Sequence, residues 1–318
     1  MSVMSRRFLL SAGATLSVAG MSARSRARAA TSVRFSYQKS SALLLVLKSN
    51  GRLAASLSPL GCEPVFSEFT SVMEPMNAGV VDFHADCADA VPIFTQAAGA
   101  ELTYYAKELP SPHAEAIIVP ASSPIKAVSD LAGRTIAVQK GSGAHYLLIA
   151  ALGKAGLSVK DVTIAYLQAP DASAAFQNGS IDAWSIWDPF LAIAEARSPV
   201  RILADGADGL TDYTRYYMVG TDFASRNPEI VKAVFGALAE AGAWMRAHPA
   251  EAASLLAPVW GDVPVPVIAK VNSRRSYDVA PVTAVDLESQ QKLADVFHDA
   301  GLIPTSLNTS AVPIWRPS

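Results

Sequence analysis

TIAVQKGSGAHYLL (Thr135–Leu148) and GSIDAWSIWDPF (Gly179–Phe190) decide how this chain is read. The first is a short β-branched run, then Gly-Ser-Gly, then an apolar-periodic segment, which spells strand, tight turn and helix. That order sets Ser142 and the backbone N–H groups of Gly141 and Gly143 at a helix start. Unpaired donors and a partial positive charge make such a start suitable for an anion. The second segment is a strand ending in Trp187-Asp188-Pro189. It sets an indole and a carboxylate at the strand's C-terminal end, beyond which open α/β sheets bind ligands. Anion donors beside a large aromatic surface predict a small ligand with a charged head and an apolar or variable tail.

Outward from these segments, strands and helices alternate. Val33–Gln38, Val65–Phe69, Val81–His84, Leu102–Ala106 and Ala116–Val119 read as strands, with a helix and a turn over Ala42–Leu60, a short helix ending near Gly79, and a helix over Ala88–Ala98. From Ile125 the pattern restarts: helix to Leu131, strand Thr135–Gln139, helix Gly143–Leu157, strand Thr163–Leu167, helix Ala172–Asn178, strand Ile181–Ile186, helix Phe190–Ala196, strand Arg201–Ala204. This alternation predicts an α/β protein of parallel sheets covered by helices. Pro-rich Leu109–Pro112 and Pro120–Pro124 bracket one crossover between lobes, and Tyr216–Val219 marks a second, which together make a hinge over a central cleft. The expected division is lobe I at 30–120 and 221–318, and lobe II at 121–220. Asn227–Asp299 is mostly helical.

The 318 residues are 51% hydrophobic and only 17% charged, which suits a well-buried protein of two domains. Ser5-Arg6-Arg7-Phe8-Leu9-Leu10, a weakly hydrophobic Ser11–Met21 and Ala27-Arg28-Ala29 read as a twin-arginine-type signal peptide over 1–29. Its core is too short and polar to span a bilayer. Removing its five arginines takes the formal net charge from −2 to −7, so a nucleic-acid surface is not expected. Cys62, in an expected loop, and Cys87, near an expected helix start, are the only cysteines. An oxidising compartment would allow them to pair, whereas a twin-arginine substrate folds in a reducing cytosol, so the sequence leaves a disulfide open.

Several segments resemble the substrate-binding proteins of bacterial importers for aliphatic sulfonates, within the wider nitrate/sulfonate/taurine-binding group. They are FSYQKSSALLLVLK (Phe35–Lys48), PIFTQAAGA (Pro92–Ala100), Ser122–Leu157, Asp171–Phe190, SRRSYDVAPVT (Ser273–Thr283) and QQKLADVFHDAGLIP (Gln290–Pro304). The resemblance implies a type II periplasmic binding fold, no cofactor or metal, a monomer in the periplasm, and a membrane permease as partner. Nitrate, taurine and a pyrimidine precursor stand as alternative ligands within the group.

A sulfonate is a monoanion with three weakly basic oxygens, so it calls for several N–H and O–H donors. Gln38, at the end of the first strand, offers an amide. Ser40 and Ser41 read as caps of the next helix. Ser142, with the N–H groups of Gly141 and Gly143, forms a second donor set, and Gln139 faces either cleft or core. The resemblance adds the helix start at Ala88 and Asp89, where Asp89 also reads as a cap. Trp187 covers the ligand tail or packs between lobes, while Trp184 points to the opposite face. Asp188 binds a cationic group or, the preferred reading, caps the following helix. Two segments depart from the family pattern, Glu68–Pro75 and His84–Pro92, and both lie where specificity is set. A rival reading is a Cys-dependent sulfinate-cleaving enzyme, resting on Cys87 three residues after His84. Binding and delivery account for the leader and cleft without it.

Overall fold

The computed structural model describes residues 30–69 and 73–317. The expected signal peptide at 1–29 and residues 70–72 of the first departing segment lie outside them.

The chain builds two sheets. The first holds β1 (Thr31–Tyr37), β2 (Cys62–Glu68), β3 (Phe83–Ala88), β4 (Leu102–Glu108), β10 (Arg215–Gly220) and β11 (Val279–Ala280), in the order β11-β4-β10-β3-β1-β2. The second holds β5 (Glu115–Pro120), β6 (Thr135–Val138), β7 (Thr163–Tyr166), β8 (Ala183–Trp187) and β9 (Val200–Asp205), in the order β7-β6-β8-β5-β9. Pairs within each run of βα units are parallel, as expected (β1 with β2 and β3, β6 with β7 and β8). The sheets are nevertheless mixed. β10 runs antiparallel to β3 and β4, and β5 antiparallel to β8 and β9. Both are the strands that receive the chain from the other sheet, so no crossover helix turns them parallel. By pairing, β5 belongs with the second sheet and β10 with the first, whereas the sequence reading puts Glu115–Pro120 in lobe I and Arg215–Gly220 in lobe II. The two linkers run side by side: Ser111 N–H donates to Asp212 O at 3.0 Å and Gly206 N–H to Pro112 O at 2.8 Å.

Helices cover the sheets because their apolar faces must be buried. In the first lobe α1 (Ala42–Ser49) buries Leu43 through Leu47 continuously, and α2 (Arg52–Leu57), α9 (Pro228–Ala247), α10 (Pro249–Val259) and α11 (Val265–Arg274) complete one core. In the second lobe α5 (Gly143–Lys154), α6 (Ala169–Gln177) and α7 (Phe190–Arg197) surround Ile117, Ile136, Leu148 and Trp184. A smaller core joins α4 (Ala90–Ala97) and α12 (Ala284–Asp299) through Ile93, Phe297 and Ile303, with Tyr146 of α5 packed on it. α3 (Met73–Ala78) and α8 (Thr221–Arg226) are single short turns. Among the described residues no helix is long and apolar enough to cross a membrane.

Three local expectations change. The helix and turn expected over Ala42–Leu60 are two helices broken at Asn50-Gly51, followed by a 3-10 turn. The helix ending at Leu131 is only a 3-10 turn over Val128–Leu131. The third strand extends through Ala88, so the helix expected from Ala88 starts at Ala90. All six residues of β3 are buried, His84 and Asp86 included, and polar residues at buried positions hid the strand's second half from a hydrophobicity pattern. Both cysteines lie in strands as free, buried thiols, Cys62 donating to Leu60 O at 3.5 Å and Cys87 to Tyr216 O at 3.6 Å.

Candidate functional site

The C-terminal ends of β1, β6 and β8 meet at a cleft between the lobes. Its outer part is a chamber of about 350 Å³. Gln38, Lys39, Ser40, Glu68 and Phe69 line it from the first lobe, and Gln139, Ala169, Pro170, Trp187 and Phe190 from the second. Gln38, Gln139 and Trp187 also line a smaller recess of about 20 Å³ behind it, where Ala88, Val91, Gly141, Ser142, Gly143, Tyr213 and Arg215 meet. The chamber is mainly apolar and aromatic, while the recess gathers donors. Its volume is close to the least that holds one water.

The helix start at Ser142 is built as the sequence predicts, and its donors are partly committed. Ser142 Oγ donates to Gln139 O at 2.8 Å and accepts from His145 N at 3.2 Å, a complete N-cap. Gly141, at φ 75°, gives its N–H to His145 Nδ1 at 3.2 Å. Burial lowers the His145 imidazole to about 4, so the ring is a neutral acceptor. The N–H of Gly143 precedes His145, whose N–H makes the first backbone bond within this turn. Gly143 is also where the walls approach most closely. A Cβ there would lie 2.7 Å from the Tyr213 ring, 2.9 Å from Ala88 Cβ and 3.0 Å from Glu115 Oε2. Only glycine fits.

Gln38 faces both chambers, and its Nε2 donates to Ser40 Oγ at 2.9 Å. Neither Ser40 nor Ser41 caps α1 in the expected way. Ser41 Oγ accepts from Gln38 N at 3.2 Å, and Ser40 Oγ accepts from Arg215 Nη2 at 3.1 Å. Arg215 is the residue that sequence reasoning missed. It is buried, its Nε donates to Asp86, and its Nη1 donates to Tyr213 OH at 2.9 Å. Burial opposes its charge, but Asp86 more than restores it, so it remains a cation. Arg275 bridges Asp86 and Glu108 behind it and donates to Ser40 O at 2.6 Å. Two arginines and two carboxylates therefore balance in the floor of the recess, as buried charges require. The available signal was an arginine inside the apolar run Tyr213–Val219.

Two expected residues lie elsewhere. Asp188 lines neither chamber and takes the preferred capping role: its Oδ1 accepts from Ala192 N at 3.0 Å, at the start of α7, and from Arg274 Nη1 at 3.3 Å. The Asp89 carboxyl points behind the hinge into a separate cavity beside Asp212 and Lys292, where the N–H groups of Ala90 and Thr214 bond to it. In both cases the neighbour, Trp187 or Ala88, faces the cleft, and one step along an extended chain reverses the face. Trp187 lines both chambers and meets Phe190 edge-on at 5.9 Å, while Trp184 packs on Phe176 in the core. Cys87 is fully buried, and burial pushes its thiol up, away from the reactive thiolate.

Two α/β lobes on paired linkers, with a donor-lined recess at the back of an aromatic cleft, define a two-lobed ligand-binding protein. The chain belongs to the NMT1/THI5-like family, whose model matches residues 65–252, and within it to the aliphatic sulfonate-binding proteins. It is 38% identical to a protein of Escherichia coli (strain K12) described as an aliphatic sulfonates-binding protein, over 90% of this chain and 89% of that one. The crystal structure of the periplasmic aliphatic sulphonate binding protein SsuA from Escherichia coli superposes with a TM-score of 0.82 at 37% identity, over 90% of this chain and 92% of that one. The alkanesulfonate-binding protein SsuA from Xanthomonas axonopodis pv. citri, bound to MOPS, superposes at 0.84 with 34% identity, over 90% and 99%. These relatives are binding proteins, not enzymes.

Proposed function

We propose that this chain is the periplasmic substrate-binding component of an ABC importer, carrying alkane- or arylsulfonates to its permease. The observation that carries the reading is the donor recess opening into an aromatic chamber between the two lobes. The sulfonate head sits at the recess, taking bonds from the Gln38 amide, the Gly143 N–H and the Arg215–Tyr213 pair, while the tail lies along Trp187. A guanidinium has five N–H donors. Four contacts from Arg215 go to Asp86, Tyr213 and Ser40, which leaves an Nη1 proton for a ligand oxygen. A three-oxygen head needs more room than one water, so the lobes part about the linkers to admit it and close afterwards. Ser142 keeps its cap and supports the head through the helix start.

The protein works as a monomer, since one chain supplies both walls of the cleft. Its leader, Ser5-Arg6-Arg7-Phe8-Leu9-Leu10, supports export by the twin-arginine route. Calorimetric titration with ethanesulfonate, a longer alkanesulfonate, an arylsulfonate, taurine, sulfate and nitrate tests the reading. Micromolar or tighter binding of a sulfonate, with little for sulfate or nitrate, is expected; no binding to any sulfonate overturns it.

A further inference from the structure

Behind the linkers lies a separate cavity of about 180 Å³ whose walls come from both lobes. Asp89 and Lys292 face it from the first lobe, Tyr146 of α5 from the second, and Thr211, Asp212 and Thr214 from the linker. This cavity and the recess are joined through the same two elements. At the end of β3, Ala88 lines the recess and Asp89 the cavity; on α5, Gly143 lines the recess and Tyr146 the cavity.

The two pairs must therefore move together. A Cβ on Gly143 would lie 2.9 Å from Ala88 Cβ, so the recess admits a sulfonate head only when α5 draws back from the end of β3. Gly143 and Tyr146 share the first turn of α5, and one displacement carries both. The step that parts Gly143 from Ala88 also parts Tyr146 from Asp89. It lets water reach a carboxyl that is only 5% exposed with the lobes together.

The groups around Asp89 do little to hold a charge on it. The N–H groups of Ala90 and Thr214 bond to it, but Asp212 in the linker and Glu115 of β5 are acids. Arg215 of β10 attracts it, and that guanidinium is already committed to Asp86. Lys292 of α12 lines the cavity, and no ion pair ties it to Asp89 among the described residues. Tyr146, Tyr216 of β10, Tyr104 of β4 and Cys87 of β3 also face these charges, and burial pushes all four up, so they stay neutral below pH 8. Burial is the largest influence on Asp89 and pushes it up to about 7, whereas a hydrated aspartate titrates near 4.

We infer that closure of the lobes over a sulfonate is coupled to protonation of Asp89, so that the surrounding pH sets the affinity of the site. The closed protein holds a proton that the open one has released between about pH 4 and pH 7. The gain in affinity is fully present below about pH 4 and is lost as pH rises through about 7, where closure must bury a carboxylate. A sulfonate beside Arg215 acts in the same direction, since it brings a negative charge toward Asp89.

This inference rests on the sulfonate reading above, and one experiment separates the two. The protein and its Asp89→Asn variant are titrated calorimetrically with ethanesulfonate and benzenesulfonate at pH 5 and pH 8. Both ligands are fully ionised at both values, so only the protein titrates. The unmodified protein is expected to bind about tenfold more weakly at pH 8. Asp89→Asn, which keeps the shape of the neutral form, should bind within about threefold of the same affinity at both values. Titration of the unmodified protein at pH 6 in two buffers of different ionisation enthalpy should show net proton uptake on binding. Equal affinities at the two pH values, an absence of proton uptake, or an undiminished pH dependence in the variant overturns the coupling alone. The last result would assign the dependence to Asp188, which burial pushes up to about 6 beside Arg274. Failure of both sulfonates to bind at either pH overturns it together with the sulfonate reading.

Discussion

At the residue scale, the site is set by where each hydrogen is already committed. The Ser142 hydroxyl gives its proton to Gln139 O and accepts from His145 N, so its main work is to start α5. Ser142→Ala should lower the unfolding free energy by about 1 kcal/mol, measured by denaturant titration, while sulfonate affinity changes little. A loss of more than tenfold in affinity would mean that the hydroxyl turns to the ligand instead. Gly143 is more demanding. A methyl group there meets the Tyr213 ring, Ala88 and Glu115 together, from three separate elements. Gly143→Ala should cost about 1–3 kcal/mol of stability through overpacking, and weaken sulfonate binding more than tenfold by widening the recess. Calorimetry and thermal unfolding read both.

At the element scale, the strand ends and helix starts place charges on opposite sides of the hinge. β3 ends at Ala88 in the recess, and Asp89, the next residue, turns its carboxyl behind the hinge to the N–H groups of Ala90 and Thr214. Burial, with Asp212 nearby, pushes Asp89 up to about 7 despite those bonds and Arg215. An unfolded aspartate titrates near 4. The folded protein thus holds a proton that the unfolded chain has released between about pH 4 and pH 7. That contribution to stability is fully present below about pH 4 and is lost as pH rises through about 7. Asp89→Asn removes this component. Denaturant unfolding at pH 5 and pH 8 should show the unmodified protein losing more stability than the variant over that interval; parallel losses would refute the assignment.

At the scale of the whole molecule, consecutive arginines tie the lobes to the site. Arg275 braces Ser40, Asp86 and Glu108 inside the first lobe. Arg274, on α11 of the same lobe, reaches α7 of the second, bonding Glu195 at 2.8 Å through both carboxylate oxygens and Asp188 at 3.3 Å. Lys270 adds a contact to Glu195 at 3.0 Å. Arg274 lines neither chamber, so its influence on binding runs through closure. Arg274→Ala should weaken sulfonate binding several-fold and enlarge the radius of gyration of the liganded protein in solution scattering. Unchanged affinity and size would show that closure does not depend on this clasp.

The local syntax of the chain determined the α/β class, the helix start at Ser142, and the placing of Gln38 and Trp187 at strand ends beside a cleft, while it left Gln139 open between cleft and core. Each follows from a few consecutive residues whose backbone preferences agree: a β-branched run, glycines that permit a sharp entry to a helix, and an apolar period. Tertiary structure decided the rest. Arg215, at the start of a strand that returns from the other lobe, and Tyr213, in the linker just before it, enter the recess about 70 residues after Ser142 in the chain. His84 and Asp86 sit in a fully buried strand because partners distant in sequence satisfy them, Ser36 for one and two arginines for the other. Asp89 was read at the cleft and faces away from it, while Asp188 takes the capping role that the sequence reading preferred. Side-chain direction at a strand end is set by what packs against each face, and those faces exist only once both sheets are assembled.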